Sequence, residues 1–242
     1  MVDVEKLGAR IILSFADGKI QITESTLFGI IIAVILAVLG IWLGSGLKTV
    51  PKGKQIVAET LVGAAYKLTE SNMGKENLVF APYMGTIFLF ILFGSSLGLI
   101  GMRPITADLN VTFALSLMTF FLIQGGTIKR LGIKGKLKKM CDPYPFMFPL
   151  KIMEDLTLPV SLALRLFGNI LGGLIIVDLW LHLMTWLSGF ITEIPFLRAV
   201  TVLPLNAFFD IFEPAIQTCI FTMLTMVFLT SALEKVSTEV KK

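Results

Sequence analysis

Charged residues are scarce in this chain, and so are the residues that build most enzyme active sites. Only 16% of its 242 residues are charged, whereas 55% are hydrophobic, and there is one histidine. Soluble domains carry about 25% charged residues, so the composition predicts an integral membrane protein. The net charge of +4 is small and lies outside the apolar runs, which argues against nucleic-acid binding.

The chain also has few of the side chains that hold metals or attack substrates. Its two cysteines, Cys141 and Cys219, lie in a basic segment and an apolar one, so we predict neither a disulfide nor a metal site. No serine–histidine–aspartate set and no glycine-rich phosphate loop is recognisable, which predicts no cofactor and no hydrolytic centre. His182, between Trp180 and Trp186, is assigned to an aromatic belt at the membrane interface, with a proton relay as the alternative.

Long apolar runs dominate the rest of the sequence. A membrane-spanning helix needs about 20 apolar residues. Five runs reach or approach that length: Leu27–Leu47, Val79–Met102, Leu109–Ile123, Phe148–Ile191 and Phe196–Leu233. The segment Gln55–Met73 is helical in pattern but carries charges, which is typical of a helix lying at the membrane interface. The predicted fold is all-α, a polytopic membrane protein with about five membrane helices and this interfacial helix.

The last two runs exceed the length of an upright crossing, so we predict that they tilt strongly or kink at Pro159, Pro204 and Pro214. The chain is then one membrane domain, residues 1–242. Its parts are an outer N-terminal segment (1–26), upright and interfacial helices (27–126), a basic loop (127–147) and a long hairpin with the C-terminus (148–242).

Basic residues are concentrated in two places between the apolar runs. One cluster lies within 129–139 and is opposed only by Asp142, and the other spans Lys48–Lys54. Because cytoplasmic loops carry an excess of Lys and Arg, both clusters are assigned to the cytoplasm, with lipid or partner binding as the alternative. Five spans then predict an N-terminus outside and a C-terminus in the cytoplasm.

One arginine interrupts the fourth apolar run. Nothing charged lies within the six residues before Arg165, and the next charge after it is Asp178. A guanidinium keeps its proton in proteins, and at mid-membrane depth it costs about 3 kcal/mol by insertion scales. Such a residue indicates a functional site. On a helix, Ser161, Asn169, Gly172 and Ile176 share its face.

Small residues lie beside this arginine. Gly168 and Gly172 form a G-x-x-x-G pattern, with Gly173 next to them, which allows another helix to approach closely. Plain helix packing is one interpretation, and a moving partner helix is the other.

The last run carries a polar stripe. Asn206, Asp210, Glu213 and Gln217 follow one another at spacings of four, three and four residues, so they share one helix face. Carboxylates at membrane depth either pair with a cation or titrate. The stripe therefore predicts an ion path, and a local water pocket near the outer surface is the alternative.

Three blocks of this sequence resemble subunit a of the rotary F-type ATP synthase. The most specific is Pro159-Val-Ser-Leu-Ala-Leu-Arg165-Leu-Phe-Gly-Asn169. The others are Gln217-x-x-Ile-Phe-x-x-Leu-Thr-x-Val-Phe-Leu and Thr106-Ala-Asp-Leu-Asn-Val-Thr112. The resemblance covers residues 82–232. It implies a tilted helical hairpin against a ring of c subunits, peripheral-stalk b subunits as further partners, and a prokaryotic plasma (cell inner) membrane as the location.

The resemblance also implies roles for single residues. Arg165 would face the ion-binding carboxylate of the ring, Asn169 and Gln217 would flank the ion path, and Asp210 would give access from outside. The three glycines at 168, 172 and 173 would pack against the ring. The family often has an acid or histidine nine residues after the arginine, where this chain has Leu174; Asp178 and Glu213 are the candidate substitutes.

The resulting functional hypothesis is a non-catalytic stator subunit with two half-channels, which couples H⁺ or Na⁺ flow to ring rotation. A self-contained cation channel or transporter and a purely structural scaffold are the alternatives. The sequence leaves the choice between H⁺ and Na⁺ open, because the coordinating site would lie mainly on the ring.

Overall fold

The computed structural model describes residues 11–15, 20–46, 48–141, 144–190 and 196–233. A two-stranded antiparallel hairpin comes first, with β1 at Ile11–Phe15 and β2 at Ile20–Thr23. Seven α-helices follow: α1 Glu24–Gly44, α2 Lys54–Met73, α3 Ala81–Ser95, α4 Leu109–Cys141, α5 Phe148–Ser188, α6 Phe196–Ala207 and α7 Glu213–Leu233. Short 3₁₀ helices flank α3 at Lys75–Phe80 and Ser96–Ile100, and a π-helix joins α6 to α7 at Phe208–Phe212.

Within the described part of the chain, five helical segments are long and apolar enough to cross a membrane. They are Glu24–Gly44, Lys75–Ile100, Leu109–Leu137, Phe148–Ser188 and Phe196–Leu233, which match the five apolar runs and confirm the predicted all-α polytopic membrane fold. The small hairpin was missed. The Asp17-Gly18 pair between its strands lies outside the described residues, but its sequence is a strong hairpin signal.

Hydrogen bonds at the two ends of the bundle show which helix ends lie together. Thr23 caps α1, and its hydroxyl donates to Asp108 Oδ2 at 2.8 Å. The other oxygen of Asp108 accepts from the backbone N–H of Asn110 at 3.0 Å and so caps α4. In the second half of α4, Arg130 pairs with Glu76 at 3.1 Å. The N-terminal hairpin and the basic end of α4 therefore lie at opposite ends of the bundle.

The basic segment predicted as a loop is mostly helical. Helix α4 runs on to Cys141, with a kink at Gly132, whose φ of 71° suits glycine. The kink turns the chain back, so that the ammonium of Lys136 contacts the side-chain oxygen of Gln124. The amide of Gln124 in turn donates to Asp155 of α5 at 3.1 Å. This chain of contacts joins α4 to the first turns of α5.

Apolar and hydroxyl side chains fill the interior. One cluster joins Leu162 and Leu166 of α5 to Ile91 and Phe221. Most buried hydroxyls of the described residues, with Ser25 as an exception, are hydrogen-bonded within the bundle: Ser116 of α4, for example, donates to the carbonyl of Pro159 at 2.7 Å. That carbonyl lies six residues before Arg165, so α4 holds the part of α5 that carries the arginine.

Candidate functional site

Arg165 lies near the middle of the 41-residue helix α5, and its side chain is exposed. Ser161 and Gly168 beside it are exposed as well, and a Cβ added to Gly168 or Gly172 would meet no atom within 4 Å. We call this surface of Ser161, Arg165, Gly168 and Gly172 the Arg165 face. Among the described residues, none forms an ion pair or a hydrogen bond with Arg165. The guanidinium is therefore open to a partner outside this chain.

Polar residues continue from the Arg165 face toward the start of α5. Ser161, Thr157 and Glu154 precede the arginine at spacings of four, four and three residues, and all three are exposed. These positions share a side of the helix, and we call them the α5 stripe. Sequence reasoning found only Ser161. Thr157 and Glu154 precede Ser161 at helical spacings of four and three residues, so the sequence pattern could have identified them.

A cavity of about 260 Å³ lies on the other side of Arg165 along the helix. It is enclosed by α5, by the π-helix with its neighbours, and by the loop after α3. Asn206, Asp210 and Glu213 line it, so three of the four residues of the predicted polar stripe meet there. We call it the acidic cavity. The remaining lining residues are Gly98, Gly101, Met102, Arg103, Pro104, Ile170, Gly173, Leu174, Val177 and Phe209.

The acidic cavity and the α5 stripe lead to opposite ends of the bundle. The cavity is lined by Arg103, which precedes the Asp108 cap beside Thr23. The stripe begins beside Asp155, which is hydrogen-bonded to Gln124 in the half of α4 that carries Arg130. Arg165 lies between the two polar regions along α5.

Two glycines make room for the carboxylates of the acidic cavity. A Cβ at Gly98 would lie 2.3 Å from Asp210 Oδ1, and one at Gly173 would lie 3.0 Å from Glu213 Oε2 and 2.8 Å from Phe209 Cδ1. Asp210 itself belongs to the π-helix, a type of distortion that is frequent at functional sites. The backbone of α5 and of the loop after α3 thus defines where both acids sit.

Replacing Gly98 by alanine should displace the Asp210 carboxylate, because the new methyl group would overlap Oδ1. For the stator that the family resemblance implies, we expect assembly with its partners to be retained and the coupled ion flux to fall about threefold to tenfold, as small misplacements of functional groups do. Gly63→Ala, at a helical position where a Cβ meets nothing within 4 Å, is the matched control and should leave the flux unchanged. Equal flux in both variants would show that the Asp210 position is unimportant.

Gln217 lies between the acidic cavity and the level of Arg165. It is 5% exposed, and its Nε2 has no hydrogen-bond partner among the described residues. Glu213, four residues before it, lies against Gly173, and Phe221, four residues after it, packs on Leu162 and Leu166. A buried amide donor without a partner is costly, so this position suits a water molecule, whose oxygen can accept from Nε2.

Three further predicted site residues lie outside the region with which the sequence associates them. Gly173 does not belong to the Arg165 face, because it is buried against Phe209 and Glu213 within the hairpin. Asp178 does not line the acidic cavity; its carboxylate lies 3.5 Å from His182 Nδ1, and both side chains are largely exposed. Of the two candidate substitutes for the family acid at Leu174, Glu213 is the one that lines the acidic cavity together with Leu174. Asn169 is half-buried one turn from Arg165, outside the cavity.

The described residues contain no group of three or more His, Cys, Asp and Glu side chains that could hold a metal ion. Gly98 and Arg103 are among the lining residues that were not predicted as site residues. Their proximity to Asp210 depends on tertiary packing across about a hundred residues of sequence, which no local pattern shows.

Comparison with known proteins gives a consistent family. A sequence model of the ATP synthase A chain family matches residues 26–230. ATP synthase subunit a of Moorella thermoacetica is 37% identical over 207 residues, which cover 85% of this chain and 88% of that protein. Subunit a of Nitratidesulfovibrio vulgaris is 36% identical over 206 residues, covering 83% of this chain and 82% of that protein. The sodium-ion-specific subunit a of Propionigenium modestum is 30% identical over 207 residues, covering 78% and 66%. The chain belongs to the ATP synthase subunit a family.

Proposed function

We propose that this chain is the stator that couples H⁺ or Na⁺ flow to rotation of a c-subunit ring and thereby to ATP synthesis. The observation that carries the proposal is the unpartnered guanidinium of Arg165 on an open face of small residues, midway along a membrane helix. A cation exposed at mid-membrane depth needs an anionic partner. An ion-binding carboxylate on a passing ring helix supplies that partner.

The charge of Arg165 favours release of the cation that the ring carboxylate binds. At a separation of about 4 Å and an effective dielectric constant of about 20, the attraction between Arg165 and a ring carboxylate is about 4 kcal/mol. This favours the ionised carboxylate and therefore expels its bound cation. The permanent positive charge also repels cations that would otherwise pass straight between the two polar regions. Each ion must then travel on the ring.

The two polar regions serve as the two half-channels. The acidic cavity, continued by Gln217, is the outer one, and the α5 stripe on the exposed helix face is the inner one, closed on its other side by the ring. Asn169 lies at the junction beside Arg165. The membrane potential contributes about 2.3 kcal/mol per charge for each 100 mV, which drives ions from one region to the other by way of the ring.

The proposal assigns no catalytic chemistry to this chain. ATP is made or hydrolysed on other subunits, and the b subunits of a peripheral stalk hold the chain against the torque of the ring. Its location is the plasma (cell inner) membrane of a prokaryote, with lipid covering the apolar helices.

A self-contained transporter is the rival function, and purification separates the two. A stator should copurify with a ring of small, very apolar subunits, and the isolated chain should not conduct in liposomes. A transporter would conduct alone. Assaying the ATPase activity of the whole complex against Na⁺ concentration then identifies the coupling ion, for which the relative from Propionigenium modestum is described as sodium ion specific.

The proposed orientation has the basic end of the bundle in the cytoplasm. Cys141 ends the basic part of α4 and is partly exposed. It should react with a membrane-impermeant maleimide in inverted vesicles but not from outside intact cells, once Cys219 has been replaced by serine. Labelling of Cys141 from outside intact cells would reverse the orientation.

A further inference from the structure

Arg103 lies in the loop between α3 and α4, and this loop is firmly held. Before it, Gly101 has a φ of 74° and donates its N–H to the carbonyl of Gly98 at 2.9 Å. After it, residues 104–108 are all buried, and Asp108 caps α4. The backbone at Arg103 therefore has little freedom to move its side chain away from the acidic cavity.

The side chain of Arg103 is fixed as well. Its Nη2 donates to the carbonyl of Ala107 at 3.3 Å, and its Nε is buried. Arg103 lines the acidic cavity together with Asp210 and Glu213. Because a guanidinium stays charged, this cavity combines two carboxylates with one permanent cation.

We propose that Arg103 determines how tightly the acidic cavity holds the coupling cation. The inference rests on the proposed function, in which this cavity is the outer access path. Two carboxylates in a space of about 260 Å³ attract cations strongly, but a conducting site must also release them. The fixed charge of Arg103 weakens the attraction, so that cations exchange with the ring instead of remaining in the cavity.

The test is ATP synthesis by the whole synthase in proteoliposomes, driven by a fixed membrane potential. The rate is measured against NaCl at fixed pH, and then against pH at fixed NaCl, on the side to which the cavity opens. Arg103→Gln should lower the half-saturating cation concentration about tenfold, because one charge that repels cations is removed from the cavity lining. The maximal rate should fall, since release becomes slower.

Two control variants distinguish an effect of the Arg103 charge from an effect on the structure. Arg103→Lys keeps the charge and should stay within about twofold of the native half-saturating concentration. Arg198→Gln removes an exposed charge from α6 that does not line the cavity, and it should change nothing. An unchanged half-saturating concentration in Arg103→Gln, or equal effects of Gln and Lys, would overturn the proposal.

The test also covers the case in which the complex carrying Arg103→Gln does not assemble. Arg103→Met keeps the unbranched apolar stem and replaces Arg103→Gln in that case. Failure of both neutral variants to assemble would assign the charge to folding and overturn the proposal. Arg165→Ala, measured in parallel, tests the proposed function by itself, because retained coupling there would reject the stator mechanism whatever Arg103 does.

Discussion

Replacing Arg165 by alanine is expected to abolish ATP-driven ion pumping and to leave the synthase assembled. Assembly should survive because Arg165 has no ion pair or hydrogen bond within the described chain and its surroundings on α5 are unchanged. Pumping should fall about a thousandfold, since about 4 kcal/mol of attraction for the ring carboxylate is lost. The measurement is ATP-driven acidification or Na⁺ uptake in inverted membrane vesicles, normalised to the amount of assembled complex.

Two further variants show whether the loss is specific to the guanidinium of Arg165. Arg130→Ala removes an arginine that pairs with Glu76 at the end of α4, and it should pump normally. Arg165→Lys should rescue poorly, because lysine lacks the planar, permanently charged fork that binds a carboxylate through two hydrogen bonds. Coupled pumping at the native rate in Arg165→Ala would reject the mechanism.

The membrane helices were predictable because each signal is local. An apolar run of about 20 residues specifies a spanning helix without reference to the rest of the chain, and the two long arms were found nearly residue for residue. The basic segment is mostly helical and not the predicted loop, because a high density of charge does not by itself oppose helix formation. Lysine is a good helix former, and only Gly132 interrupts the helix there, as a kink. The density of positive charge predicts on which side of the membrane this segment lies, whereas helix propensity determines its secondary structure.

The sequence predicts residues of the site only where a polar or charged side chain interrupts an apolar run. Arg165 and the acids of the last arm stand out in apolar sequence. Helical periodicity defines the angle of Asp178 on α5 but not what covers that angle, so the sequence could not place this acid relative to the cavity. Leu174 and Val177 reach the cavity, whereas Asp178, one residue further, lies beside His182. The roles of Gly98 and Gly173 depend on how closely two distant segments approach, which sequence spacing does not contain.

The chemical role of the acidic cavity can be isolated with conservative amides. Asp210→Asn removes one of its two carboxylates and preserves the shape that Gly98 accommodates, so we expect coupled flux to fall about tenfold to a hundredfold, within the range for loss of a proton-transferring group. Glu213→Gln should act similarly, and the double variant should be nearly inactive, because no carboxylate would then connect the outer water with Gln217. The measurement is the initial rate of ATP-driven pumping per assembled complex.

Asp178→Asn is the matched control, because it removes a carboxylate from the same end of the hairpin at a position outside the cavity. Its partner His182 is exposed, and exposed ion pairs contribute little, so flux should stay within about twofold of the native rate. Adding Asp178→Asn to Asp210→Asn should lower the flux no further. A strong loss in Asp178→Asn alone would place the ion path along the exposed end of α5 and not through the acidic cavity. Native flux in the Asp210 and Glu213 double variant would leave the cavity without any role in conduction.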